Sequence, residues 1–134
     1  MIFVDSNIVI DLIEDGEWTA WSKRALERDT VLVSNHIVFA EVSRAFPSPE
    51  AVATFLRELG IELMPMTSDV AFDAGRAMVG YRMSGGRHNA ILADFLIAAH
   101  AQRLGASLAT RDRRRFPRYF PNLTLITPET HPHG

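Results

Sequence analysis

The stretch Ile2-Phe3-Val4-Asp5-Ser6-Asn7-Ile8-Val9-Ile10-Asp11-Leu12 decides how the rest of this chain is arranged. Ile2-Phe3-Val4 is a short unbroken apolar run, which suits a strand buried on both faces of a parallel sheet. Asp5-Ser6-Asn7 stops it with three residues able to cap a helix, and apolar residues recur at helical spacing from Asn7 to Glu14. The chain therefore opens as strand, turn and helix, with a carboxylate where the strand runs out. Ligands of open α/β sheets bind beyond the carboxyl ends of the strands, so Asp5 stands where such a fold puts chemistry. Taken alone, Asp5 is equally well explained as an N-cap. A functional reading needs other carboxylates to converge on it.

The same alternation continues downstream. Trp18, Trp21, Ala25 and Leu26 make an apolar stripe on a helix running to about Arg28, read as packing or as the floor of a partner groove. Val31 to Val33, Ile61 to Met64, Ser107 to Thr110 and Thr124 to Ile126 read as further strands. Between them, helices are expected over His36 to Phe46 (capped by Ser34 or Asn35), Pro49 to Leu59 (capped by Ser48), a span capped by Ser68 and running to about Met83, and Ala90 to Ala99 within a helix closed by Gly105. Strand alternating with helix implies a mostly parallel sheet between helical layers.

Composition limits the function. In 134 residues, 47% hydrophobic and 22% charged, there is room for a packed core. Without cysteine there is no disulfide frame and no thiolate-held metal. No apolar run reaches membrane-spanning length, and a strand from residue 2 leaves no place for a signal peptide, so the expectation is a cytoplasmic protein that does not enter membranes. The net charge of −2 argues against wholesale polyanion binding, yet Arg111, Arg113, Arg114, Arg115 and Arg118 crowd together, and arginine suits phosphate. Arg87, in the loop after Gly85-Gly86, is a further candidate, although two glycines after a helix also make a plain C-cap.

Three more acidic residues stand out. Glu41 has Ile37, Val38 and Ala45 among its neighbours at three and four residues, and Arg44 as the fourth. It either lines a buried stripe or pairs with Arg44 on the surface. Asp94 has only Ala90, Ile91, Ile97 and Ala98 at those spacings, so its compensation must come from outside its helix or from the helix dipole. Asp112 repeats the opening pattern of apolar strand, small polar residue and aspartate. Asp5 and Asp112 face one another if strands one and four are neighbours, and Glu41 and Asp94 can reach the same pocket. Two such charges about 4 Å apart repel by about 4 kcal/mol at an effective dielectric near 20. Raised pKa values or a hard cation relieve that; oxygen donors favour Mg²⁺ or Mn²⁺. Beside an arginine cluster, the natural substrate is a phosphodiester.

Phe3-Val4-Asp5-Ser6-Asn7, Ala40-Glu41-Val42, Leu92-Ala93-Asp94-Phe95-Leu96-Ile97-Ala98-Ala99 and Leu108-Ala109-Thr110-Arg111-Asp112 together resemble the PIN-domain ribonucleases, most of all the VapC-type toxins of toxin–antitoxin pairs. The resemblance covers essentially the whole chain. It implies one PIN-like α/β domain over residues 1–134, three-layered (α/β/α), with a five-stranded parallel sheet ordered 3-2-1-4-5 and a loosely ordered tail from about Pro128. It further implies a Mg²⁺- or Mn²⁺-dependent endoribonuclease with Asp5, Glu41, Asp94 and Asp112 as acidic tetrad, supported by Asn7 and Thr110. Arg87, Arg111, Arg113, Arg114 and Arg115 are then the candidate RNA contacts. A homodimer and a cognate VapB-like antitoxin are implied as partners, the antitoxin's groove being sought at the Trp18/Trp21 stripe and the helices around Glu41. Some relatives carry a further acidic residue shortly after the last aspartate; here Arg114, Arg115 and Phe116 occupy those positions.

A receiver-type signalling domain would need a lysine near the end of its last strand, and the only lysine is Lys23. An aspartyl phosphatase would need an aspartate where Asn7 stands. The remaining competitor is a PIN-fold binding module with weak or silent nuclease chemistry.

Overall fold

The computed structural model describes residues 1–114 and 116–134; Arg115, one of the candidate RNA contacts, lies outside them. Strands β1 (Ile2–Val4), β2 (Leu32–Ser34), β3 (Ile61–Leu63), β4 (Ser107–Ala109) and β5 (Leu125–Ile126) form one parallel sheet in the order β3-β2-β1-β4-β5. Phe3 lies between Val33 and Leu108 in register. All three residues of β1 are buried, as the unbroken apolar run requires of a strand covered on both faces.

The helices are α1 (Ser6–Ile13), α2 (Thr19–Leu26), α3 (His36–Val42), α4 (Pro49–Glu58), α5 (Ser68–Met83), α6 (Ile91–Arg103) and the single turn α7 (Phe116–Tyr119). They make the outer layers of an α/β/α sandwich. The core runs through Phe3, Val4, Ile8, Val33, Phe95 and Leu108, all fully buried. Two local expectations are corrected. The helix after β2 ends as an α-helix at Val42 and tightens to a 3₁₀ turn over Ser43–Ala45, where the Ser43 hydroxyl bonds back to Phe39 O at 2.6 Å and competes with the helical pattern. The cap of α5 is Thr67, whose hydroxyl accepts from Val70 N, and Ser68 is the first helical residue. Helix α6 runs through His100 to Arg103 and is closed, as expected, by Gly105, which supplies the positive φ (69°).

His100 is a packing residue. Its ring lies 5.3 Å from that of Phe3, and Asn35 Nδ2 donates to its Nδ1 at 3.1 Å. Asn35 in turn caps α3, its Oδ1 accepting from Ile37 N and Val38 N. Trp21 also faces inward, its indole N–H donating to His131 O at 2.7 Å. Together with the bond from Arg24 Nε to His133 O, this lays residues 131–134 against α2. Among the described residues, no helix is long and apolar enough to cross a membrane.

Candidate active site

In the order β3-β2-β1-β4-β5 the chain direction of winding reverses between β1 and β4, and a cleft opens beyond their carboxyl ends. Asp5 follows β1 directly and is buried (4% exposed). It is also the N-cap of α1: Oδ1 accepts from Ser6 N at 2.7 Å, while Oδ2 accepts from the Thr110 hydroxyl at 2.7 Å. The capping and functional readings of Asp5 thus describe the same side chain, since capping consumes one oxygen and aims the other at β4.

Thr110 and Asn7 form the bridge between the two strand ends. The Thr110 hydroxyl accepts from Asn7 Nδ2 at 3.2 Å and from Asp112 N at 3.1 Å. Asn7 Nδ2 also approaches Asp5 Oδ2 at 3.4 Å, and its Oδ1 accepts from Arg111 N at 3.1 Å. Both residues therefore orient Asp5 and fix the backbone that carries Asp112.

Glu41, near the end of α3, and Asp94, in the first turn of α6, are each half-buried and reach Asp5 electrostatically. Burial raises the Asp5 pKa from 3.8 to about 6; hydrogen bonds from Thr110 and Ser6 pull it down, and the charges of Asp94 and Glu41 push it up. Burial likewise raises Glu41, the Ser6 hydroxyl opposes this, and Asp94 adds to it. Glu41 Oε1 is buried without a hydrogen-bond partner. An orphaned carboxylate oxygen beside two further carboxylates is costly unless something positive meets it.

Asp112 sits on the neighbouring cleft wall. Its Oδ1 accepts from Arg114 N at 2.9 Å, and it lines a cavity of about 390 Å³ with Asn7, Arg111, Arg113, Arg114 and Glu129. Arg113 and Arg114 are exposed, Arg113 standing 3.8 Å from Glu129. Arg111 is differently placed: its guanidinium grips Asp11 at 2.7 and 3.0 Å, which occupies the edge that would meet a phosphate. Arg87 is exposed in the α5–α6 loop. There Gly85 and Gly86 bond back to Arg82 O and Tyr81 O, so the glycine pair is the helix C-cap, and a Cβ at Gly86 would collide with the Tyr81 ring.

The donor set is all oxygen, with an unsatisfied buried carboxylate at its centre, and this chemistry fits a hard divalent cation. Among the described residues, however, no three His, Asp or Glu side chains are already gathered so as to hold one. Asp5, Glu41 and Asp94 are electrostatically coupled, and the Asp112 backbone N–H is tied to Asp5 through the Thr110 hydroxyl.

Three residues at the site escaped the sequence reading. Ser6, treated only as a cap, supports both Asp5 and Glu41. Asp11 is a buried carboxylate one turn after Asn7 in an otherwise apolar run, the signal that singled out Asp94. Glu129 arrives from the tail, and nothing local in the sequence marks it.

The fold and its relatives agree. VapBC-1 from nontypeable Haemophilus influenzae matches with a TM-score of 0.70 at 21% identity, over 95% of this chain and 98% of that one. VapBC2 from Rickettsia felis, solved bound to a DNA fragment from its promoter, gives 0.66 at 24%, over 95% and 98%. A toxin–antitoxin complex from Klebsiella pneumoniae gives 0.67 at 23%, over 96% and 98%. No match was found among curated proteins. The family model described as PIN domain matches residues 2–120, a span that holds four of the five strands and Asp5, Glu41, Asp94 and Asp112, and the chain therefore belongs to the PIN-domain family.

Proposed function

We propose that this chain, folded as one PIN domain, is a divalent-metal-dependent endoribonuclease that acts in the cytoplasm as the toxin of a toxin–antitoxin pair. The observation that carries the reading is the meeting of Asp5, Glu41 and Asp94 at the carboxyl edge of the sheet, with Glu41 Oε1 buried and unsatisfied. Asp5, Glu41, Asp94 and Asp112 would hold Mg²⁺ or Mn²⁺. When bound, the ion supplies Lewis acidity and positive charge beside a phosphodiester. The protein's own part is orientation. Thr110 and Asn7 fix Asp5, Ser6 steadies Glu41, and Arg113 and Arg114, with Arg87 at the α5–α6 loop, hold RNA phosphates along the cleft.

Two protein partners belong to the reading. Of the two places expected for the antitoxin groove, the Trp18/Trp21 stripe and the helices around Glu41, the stripe offers little free surface, since Trp21 faces the core and Trp18 lies beneath Arg111. The better candidate is an apolar groove of about 440 Å³ beside it, floored by Leu12, Leu26, Leu32 and Phe55 and rimmed by Lys23 and Glu58. A second copy of the chain fits α5, where Phe72, Val79 and Met83 are 65%, 53% and 83% exposed along one face. A twofold axis near Gly75 would set Phe72 against Val79 and Asp69 against Arg82, and nothing lies within 4 Å of a Cβ built on Gly75.

The deciding experiment is cleavage of end-labelled structured RNAs by antitoxin-free protein in Mg²⁺, Mn²⁺ or EDTA, beside Asp94→Asn. Metal-dependent cuts absent from the variant are expected. Folded protein that neither cuts RNA nor gains thermal stability from Mn²⁺ would sink the enzyme reading and leave a PIN-fold binding module.

A further inference from the structure

The chain between β4 and α7 carries Asp112, Arg113 and Arg114 into the cleft, yet little packing holds it, since Arg113 and Arg114 are exposed and Asp112 only half-buried. What holds it is a set of polar ties, and the most elaborate fall on Arg111. Its backbone N–H donates to Asn7 Oδ1 at 3.1 Å. Its guanidinium binds Asp11 through Nε to Oδ2 at 2.7 Å and Nη2 to Oδ1 at 3.0 Å, and lies over the Trp18 ring, 5.6 Å from its centroid. Asp11 is itself buried (8% exposed) and takes a further bond of 2.6 Å from the Ser22 hydroxyl. One arginine is thus fixed by α1 and α2 at once, immediately before Asp112.

Stability alone does not account for this arrangement. Asp11 is buried and the Arg111 side chain 30% exposed. Replacing a desolvated ion pair by apolar side chains of similar volume is often neutral or stabilising, so the geometry the pair specifies is a role that its stability alone does not supply. The forked, bidentate contact sets both the distance and the orientation of the guanidinium, which a lysine could not do. The residue so fixed lies between Thr110, bonded to Asp5, and Asp112, whose N–H is bonded to Thr110.

We infer that Asp11 and Arg111 are positioning residues that pin the β4 exit to α1, setting the place of the Asp112 carboxylate and of the basic turn after it. This rests on the nuclease reading above. Arg111 is then no phosphate contact, and Arg113 and Arg114 are left to meet RNA.

The test compares Arg111→Lys, Asp11→Asn and the paired change Asp11→Leu with Arg111→Met, which removes the buried charges together and keeps the fold if a single change does not. Amide exchange is read at Arg111 and Asp112, with the Mn²⁺ midpoint for thermal stabilisation and kcat and KM on a cut RNA. The paired variant should melt near wild type, lose amide protection at both positions and need more Mn²⁺. Its kcat should fall by roughly 10- to 100-fold, the usual cost of losing support behind a metal ligand, at unchanged KM. Arg111→Lys should fall between it and wild type. Unchanged protection and Mn²⁺ midpoint overturn the inference. So does a raised KM with a flatter salt dependence in Arg111 variants only, which would make Arg111 a phosphate contact. Wild type that cuts no RNA, beside variants that lose protection, sinks the nuclease reading and leaves the pin standing.

Discussion

The hydroxyl of Thr110 donates to Asp5 Oδ2 at 2.7 Å, joining the ends of two adjacent strands whose residues are 105 positions apart. The bond stabilises the charged form of a carboxylate whose pKa burial raises. Replacing Thr110 by Val keeps the shape and removes the donor. Asp5 should then titrate at higher pH, and the acidic limb of the pH–kcat/KM profile should move up with it. Loss of a buried bond to a charged group also predicts roughly 1–3 kcal/mol of destabilisation in urea titrations. A Thr110→Val profile superimposable on wild type would remove Thr110 from the site.

The raised Asp5 pKa has a definite sign in stability. Folded Asp5 holds its proton up to about pH 6, whereas the unfolded chain releases it near 3.8. The contribution is complete below about 3.8 and is lost as pH rises through 6, on the order of 3 kcal/mol in all. Glu41, also raised by burial, acts in the same direction. His100 acts the other way, because burial lowers its pKa below 6.5 and protonation of the unfolded chain then favours unfolding as pH falls. The clean readout is therefore the difference in melting temperature with and without Mn²⁺. That difference should be small at pH 5 and grow as pH rises through 6. A shift independent of pH would mean that the ion does not meet these carboxylates.

Asp94 contributes charge to both Asp5 and Glu41. Asp94→Asn should therefore lower both pKa values and abolish the Mn²⁺-induced shift in melting temperature. Cleavage should drop by more than the roughly 10- to 100-fold that losing an outer-shell partner costs. Calorimetry of the variant with and without Mn²⁺ checks all but the last. A variant that still responds to the ion would place Asp94 outside its ligands.

How much of this was legible in the sequence differs by interaction range. Short apolar runs between caps gave the five strands and their parallel arrangement, because a doubly covered strand has no polar face to disguise it. Asp94 stood out as a carboxylate with only apolar neighbours on its own helix, and Asp5 as one at the end of a buried strand, where an N-cap explained it equally well. Asp11, in an otherwise apolar run, was passed over beside Asp5 and Asn7, and with it the true partner of Arg111. No pattern in the chain pairs position 11 with position 111, since that contact depends on how α1 lies against the β4 exit. Glu129 was out of reach for the same reason. Its place at the cleft follows from the path of the tail, and nothing local to residues 128–134 fixes that path.

Arg113 and Arg114 line the cleft beside Asp112, and neither is buried. Changing both to Ala should raise KM with little change in kcat. The slope of log affinity for a single-stranded RNA against log salt should shrink by about 0.7 for each arginine that meets a phosphate. Arg113 also stands 3.8 Å from Glu129, so Glu129→Gln should tighten RNA binding slightly by releasing that charge. Filter binding between 50 and 200 mM salt, roughly the range over which such contacts weaken markedly, measures both effects. Unchanged slopes would make these arginines a solvated face.

The exposed face of α5 makes the last case. Phe72, Val79 and Met83 recur at spacings that put them on one stripe, and the Arg76 guanidinium sits 5.9 Å from the Phe72 ring centroid, leaving the ring's far side to solvent. If that stripe is the seam between two copies, a charge at Val79 is set against the partner's Phe72 ring and, by the twofold, is desolvated twice in each dimer. Val79→Glu should therefore convert a dimer to a monomer in sedimentation equilibrium, while the far-ultraviolet spectrum and the metal-free melting temperature at high dilution stay as in wild type, since Val79 contributes nothing to the core. The reverse charge tests the pairing proposed for the ends: Asp69→Arg should weaken the dimer and Asp69→Arg with Arg82→Asp should restore it. A dimer that survives Val79→Glu would have its seam elsewhere, and a wild type that sediments as a monomer at every concentration would leave this stripe without a second copy to cover it.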